Sequence, residues 1–130
     1  MKFTLMVTGS AQSAGSRRAL KFAQALLEAG HELTRVFFYQ QGVANASLQL
    51  VIPQDEANTA AQWQALVQQY QLDAVVCIAA GLRRGVLDQA EAQRYQIMSH
   101  NLAPGFELSG LGQLHEALQS SDRLLSFGEY

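Results

Sequence analysis

The chain has 130 residues, a formal net charge of −2 and a pI near 5.8, which suits one domain and argues against a dedicated nucleic-acid binder, normally basic. Hydrophobic residues at 48% exclude intrinsic disorder. No apolar run approaches the ~20 residues of a membrane helix, and the run after Lys2 stops at Gly9, too early for a signal-peptide core, so the chain is expected to be cytoplasmic.

Lys2–Val7 is short, apolar and β-prone, a first strand. The small-residue stretch Gly9–Ser16 breaks it, with Ser16 placed to cap a helix in which Ala19, Phe22, Ala23, Leu26 and Leu27 recur at helical spacing. Gly30 ends that helix, and His31 beyond it reads as a solvated cap residue. Leu33–Tyr39 is the second strand. Gln40–Asp55 has no clear period; Val43–Ala46 is expected to form one helical turn before Pro53.

Thr59 and Gln62 have capping-box spacing ahead of an apolar face of Trp63, Leu66, Val67 and Tyr70. Ala74–Ala79 is continuously apolar, as in a strand covered on both faces. Ala80–Val86 is a loop or short helix, and Asp88 with Glu91 has capping-box spacing for a short helix ending near Tyr95. Asn101–Gly105 carries turn chemistry. Phe106–Ser109 is a short strand, Leu111, Leu114 and Leu118 mark a last helix, and Asp122–Phe127 a last strand before a frayed tail at Gly128–Tyr130. Alternating strands and helices imply one three-layer α/β/α domain over residues 1–130, with a mainly parallel sheet of about five strands.

Ligands of open parallel sheets gather beyond the carboxyl ends of the strands. Two features map there. The Gly9–Ser16 loop offers backbone amides at a helix start, but it matches neither the dinucleotide fingerprint nor the phosphate-loop signature, and a plain strand-to-helix turn accounts for it. Cys77 is the sharper feature. A lone cysteine in an apolar run is commonly a small buried hydrophobe. Here it lies late in its strand, and Arg83 and Arg84 follow within one loop; nearby cations and a helix start both favour a thiolate. With no second cysteine there is no internal disulfide and no all-cysteine metal site, so a reactive Cys77 exchanges sulfur with another molecule. His31, His100 and His115 have no metal-ligand spacing, Asp55 and Glu56 read as a solvated helix start, and Trp63 reads as core.

The segment Cys77-Ile78-Ala79-Ala80-Gly81-Leu82-Arg83-Arg84-Gly85-Val86 resembles the active loop of the DsrE-like family, in its TusD-type branch. Val7-Thr8-Gly9, Phe22–Leu26, Gly30–Leu33, Val36–Tyr39, Gly42-Val43 and Ser109-Gly110-Leu111-Gly112 match jointly, in family order, over nearly the whole chain. Gly81 and the serine-rich first loop are small departures from the family pattern.

The resemblance implies a persulfide sulfurtransferase with Cys77 as carrier. The family takes sulfur from a TusA-like donor, passes it to a TusE-like acceptor for 2-thiolation of tRNA wobble uridine, and assembles with TusB- and TusC-like subunits as a dimer of heterotrimers; tRNA is met only indirectly. Low charge, 15%, with sixteen glutamines in its place, agrees with extensive partner contacts. Thiol exchange needs no metal or organic cofactor. Arg83 and Arg84 would support the thiolate or dock an acidic partner, or are ordinary solvated charge. The alternatives are a sulfur-trafficking subunit of a sulfur-oxidation pathway, a non-catalytic assembly subunit, and a small-ligand-binding module built on the Gly9–Ser16 loop.

Overall fold

The structure is a computed structural model that describes residues 1–130. Five strands, β1 (Lys2–Val7), β2 (Glu32–Phe38), β3 (Ala74–Cys77), β4 (Phe106–Ser109) and β5 (Arg123–Phe127), form one sheet in the order β4-β3-β2-β1-β5. Every pairing is parallel. The chain moves outward from β1 to β4, then returns to add β5 on the other side of β1.

Five helices accompany the strands: α1 (Ala14–Glu28), α2 (Thr59–Tyr70), α3 (Ile78–Arg83), α4 (Gln89–Arg94) and α5 (Gly112–Ser120). Side chains alternate between faces along a strand, so the contacts of each strand assign the helices to layers. Phe3 meets Phe22 of α1, and Phe38 meets Trp63 of α2 edge-on at 5.3 Å. On the opposite face Arg35 donates to the Gln113 carbonyl of α5 at 2.8 Å. Thus α1 and α2 cover one face and α5 alone the other, the three-layer order expected. Trp63, Phe37, Phe38, Leu5 and Val36 are fully buried, each contributing about 1.5–3 kcal/mol through lost apolar exposure.

The structure corrects the sequence reading at several positions, among them the second strand, which runs Glu32–Phe38, and the last, which starts at Arg123. Ser13, not Ser16, caps α1: its hydroxyl accepts from the Ser16 amide at 3.0 Å. Ser16 lies inside the helix, where its hydroxyl donates to buried Asn45 at 2.9 Å. Asn58, not Thr59, caps α2, and Tyr70 at its end is exposed. The third strand stops at Cys77, and Ile78 and Ala79 already belong to α3. Leu111 and Leu118 are exposed rather than core, because Leu114 and Ala117 are the α5 positions turned to the sheet.

The stop at Gly30 is as expected: at φ +84° it lets the His31 amide close on the Leu26 carbonyl at 3.0 Å. His31 is exposed, and its ring leans edge-on against Phe3 at 5.6 Å. The irregular stretch does contain a turn, a 3-10 helix over Gln40–Ala46.

The C-terminal tail is not frayed. The Gly15 amide donates to the Glu129 carbonyl at 3.1 Å, the Glu129 carboxylate accepts from the Ser10 amide at 3.1 Å, and Arg18 donates to the Tyr130 carbonyl. The tail therefore occupies the Gly9–Ser16 loop. A Cβ at Gly15 would lie 1.6 Å from the Gly128 carbonyl oxygen, so only glycine permits this approach.

Candidate functional site

Cys77 is the last residue of β3 and the cap residue of α3, at the carboxyl edge of the sheet. The short apolar run Ala74–Val76 sets the strand in the middle of the sheet, and Cys77 ends it where the chain turns into a helix. Val75 is paired with Phe37, and Val76 with Phe38. Parallel partners in register point to the same face. Phe38 faces α2, so Val76 does too, and Cys77, one residue on, faces the α5 side. The residue is 4% exposed. Across β3–β4 its register partner is Ser109, a neighbour 32 positions away that no local pattern in the sequence reveals.

The two arginines part company. Arg84 turns back along α3 and donates to the Ala80 carbonyl at 3.1 Å and to the Gln41 amide oxygen at 3.3 Å. It ties the end of α3 to the 3-10 helix after β2. The Arg83 side chain makes no hydrogen bond or ion pair with the rest of the chain and is exposed. It borders a groove of about 520 Å³ whose apolar walls are Leu82, Leu87, Tyr95 and Ile97. That lining contains no carboxylate, so Arg83 brings an uncompensated positive charge to it.

Asn101 forms the floor of the groove. It is buried, accepts from the Leu87 amide at 2.9 Å and donates to Ser47 at 2.8 Å. Sequence reading placed it only in a turn; its two partners lie 14 and 54 positions away. No three His, Cys, Asp or Glu side chains converge to hold a metal ion. His115 meets only Gln119 on the exposed side of α5, and His100 is exposed. No helix is long and apolar enough to cross a membrane.

Residues 1–127 match the model of the DsrE/DsrF-like family. The chain belongs to this family. A protein of Pseudomonas aeruginosa named "Sulfurtransferase TusD homolog" is 55% identical over 128 residues, 98% of each chain. One of Klebsiella pneumoniae named "Sulfurtransferase TusD" is 50% identical over 131 residues, covering 98% of this chain and 100% of the relative. The Allochromatium vinosum protein called DsrE is 47% identical over 130 residues. Among solved structures, the ychN protein of E. coli superposes with a TM-score of 0.73 over 98% of this chain and all of its own, at 22% identity, a likeness of fold. Cys77, buried at the carboxyl end of β3, is the chain's only cysteine.

Proposed function

We propose that this protein is a persulfide sulfurtransferase that carries sulfur on Cys77. It is a sulfurtransferase of the TusD type and serves a sulfur relay. The observation that carries the assignment of the residue is the position of the only cysteine, at the carboxyl end of β3 where α3 begins, in the edge region where sites of parallel sheets form.

The chemistry is thiol exchange at sulfur. The Cys77 thiolate attacks the outer sulfur of a donor persulfide; a new S–S bond forms, the donor's S–S bond breaks, and the donor leaves as a thiolate. Cys77 then holds Cys–S–SH. An acceptor thiolate attacks the terminal sulfur, and Cys77 departs as the thiolate that began the cycle. No net oxidation or reduction occurs, and no cofactor enters. Arg84, bonded along α3, keeps the loop after Cys77 folded against Gln41. Arg83, free at the groove, is placed to dock an acidic partner by charge.

The relay partners are a TusA-like donor and a TusE-like acceptor, with TusB- and TusC-like subunits completing a dimer of heterotrimers, and tRNA wobble-uridine 2-thiolation as the end use. Exposed Val51, Met98, Tyr95 and Leu48 leave apolar surface for such contacts. The resemblance to the Allochromatium vinosum DsrE at 47% identity supports a second end use, sulfur trafficking in an oxidative pathway, with the same step at Cys77.

Intact-mass measurement after incubation with a persulfide donor tests the assignment. The wild type is expected to gain ~32 Da, lost again on adding a thiol reductant, as exchange chemistry requires. A Cys77→Ser variant that still gains the adduct would overturn it.

A further inference from the structure

The groove beside Arg83 is held in shape by its own backbone. Asn101 laces the floor: beyond its side-chain bonds to Leu87 and Ser47, its amide donates to the Leu87 carbonyl at 3.0 Å and its carbonyl accepts from the Leu48 amide at 2.7 Å. At Gly85 the chain turns out of α3, the Val86 amide closing on the Gly81 carbonyl at 2.9 Å, and Leu87 joins the lining. The Ile97 amide donates to the Ala92 carbonyl at 2.8 Å and ties its wall to α4. Binding sites are usually preformed in this way.

Its walls are apolar and open to solvent. Tyr95 and Ile97 are 55% and 50% exposed, and Met98, between the lining residues Ile97 and Ser99, is exposed as well. Exposed apolar surface gathered in one place marks an interaction site, and Tyr, Met and Arg are the types enriched where proteins meet. The charge is one-sided. Residues 74–106 hold two carboxylates, Asp88 and Glu91. Asp88 accepts from the Glu91 amide at the start of α4 at 2.8 Å, and Glu91 lies 4.0 Å from Arg94. Residues 47–52, which add Gln49 to the lining, carry no charge. The Arg83 guanidinium therefore has no counterpart within the chain, although the chain as a whole is at −2. A free cation on an apolar groove is complementary to an acidic partner.

Arg83 ends the helix that Cys77 begins. At 1.5 Å per residue the two lie about 9 Å apart along the axis of α3. We propose that the groove docks an extended segment of the protein that exchanges sulfur with Cys77, a segment in which a large apolar side chain stands beside a carboxylate. The apolar side chain enters between Tyr95, Ile97 and Leu87, and the carboxylate pairs with Arg83. The reactive sulfur follows about three residues on, the length of extended chain that spans the helix. The partner's part in the reaction rests on Cys77 being the sulfur carrier; the docking does not.

The probe is a capped peptide, acetyl-Gly-Glu-Leu-Phe-Glu-Gly-amide, titrated at low salt into the full chain and followed through the backbone amide resonances. Saturable shifts are expected at Leu87, Tyr95, Ile97 and Ser99. Glutamine in place of both peptide glutamates, or Arg83→Gln in the protein, is expected to weaken binding about two- to fivefold. Tyr95→Ser is expected to weaken it about fivefold or more, both variants melting near the wild-type temperature. A second peptide carries a cysteine about three residues beyond the phenylalanine. Its thiolate attacks the terminal sulfur of persulfidated Cys77, the S–S bond at Cys77 breaks, and Cys77 leaves as the thiolate. This peptide is expected to take sulfur faster than N-acetylcysteine does. Arg83→Gln and Tyr95→Ser should remove that preference without slowing transfer to N-acetylcysteine. No saturable shift, shifts scattered over the surface, or binding that neither variant changes would overturn the docking groove. Binding without a transfer preference overturns its assignment to a sulfur partner. A dimer in light scattering that Tyr95→Ser splits gives the groove to a second copy and overturns that assignment too. A wild type that binds the peptide but takes no sulfur removes the sulfur-carrier reading and leaves the docking groove standing.

Discussion

The carboxylate of Glu129 accepts from both the amide and the hydroxyl of Ser10, at 3.1 and 3.3 Å. The last residues of the chain are thereby fastened to the loop that follows its first strand, at the point where the sheet order reverses between β1 and β5. The crevice in which many open α/β sheets hold a ligand is here filled by the protein's own tail. Gly15→Ala, which places a methyl against the Gly128 carbonyl, is expected to cost about 1–3 kcal/mol and to expel the tail. A lowered melting temperature and faster amide exchange at Glu129 would show it; unchanged exchange at Glu129 would contradict the packing.

Cys77→Ser separates chemistry from packing. Sulfur acceptance is expected to vanish, since a hydroxyl cannot carry a transferable persulfide and no other cysteine exists. With the side chain buried, an unpaired serine hydroxyl is expected to lower stability by about 1–3 kcal/mol. Cys77→Ala, which buries no polar group, should lose less on that account while remaining inactive. Denaturant melts of both variants check the order.

The two arginines are expected to respond differently. Arg84→Ala removes two hydrogen bonds, to Ala80 and Gln41, and should cost about 0.5–1.5 kcal/mol. Arg83→Ala removes none and should leave the melt within about 0.5 kcal/mol, while slowing transfer to or from a protein partner more at low salt than at high salt. Equal salt dependence in wild type and Arg83→Ala would remove Arg83 from docking.

Asn45 is fully buried and joins three segments: it accepts from Ser16 and donates to the Gly42 and Gly9 carbonyls. Asn45→Ala orphans these groups and is expected to lower stability by about 2–3 kcal/mol. A urea midpoint equal to that of the wild type would show that water or a local shift replaces the amide.

Legibility divided along physical lines. Strands such as Lys2–Val7 and Phe106–Ser109 and the Asp88 cap, which accepts from the Glu91 amide at 2.8 Å, were readable because local propensity and burial agree there. The caps at Ser13 and Asn58 lie one to three residues from the positions the sequence pattern favours, since several small polar residues in a row satisfy the same pattern and only backbone dihedrals choose among them. The tail looks frayed in sequence because its partners, Ser10, Gly15 and Arg18, lie over a hundred positions away.

By itself the sequence determined the alternating α/β order, the central apolar strand and the single thiol late in it, because apolar periodicity and residue chemistry are local properties. Which face that thiol takes, that Ser109 is its register partner, where β3 ends, and that Arg84 is bonded while the Arg83 side chain is free were decided only by the tertiary structure. Parallel strand order and register set those relationships, and they depend on contacts between residues far apart in the chain, to which no local spacing corresponds.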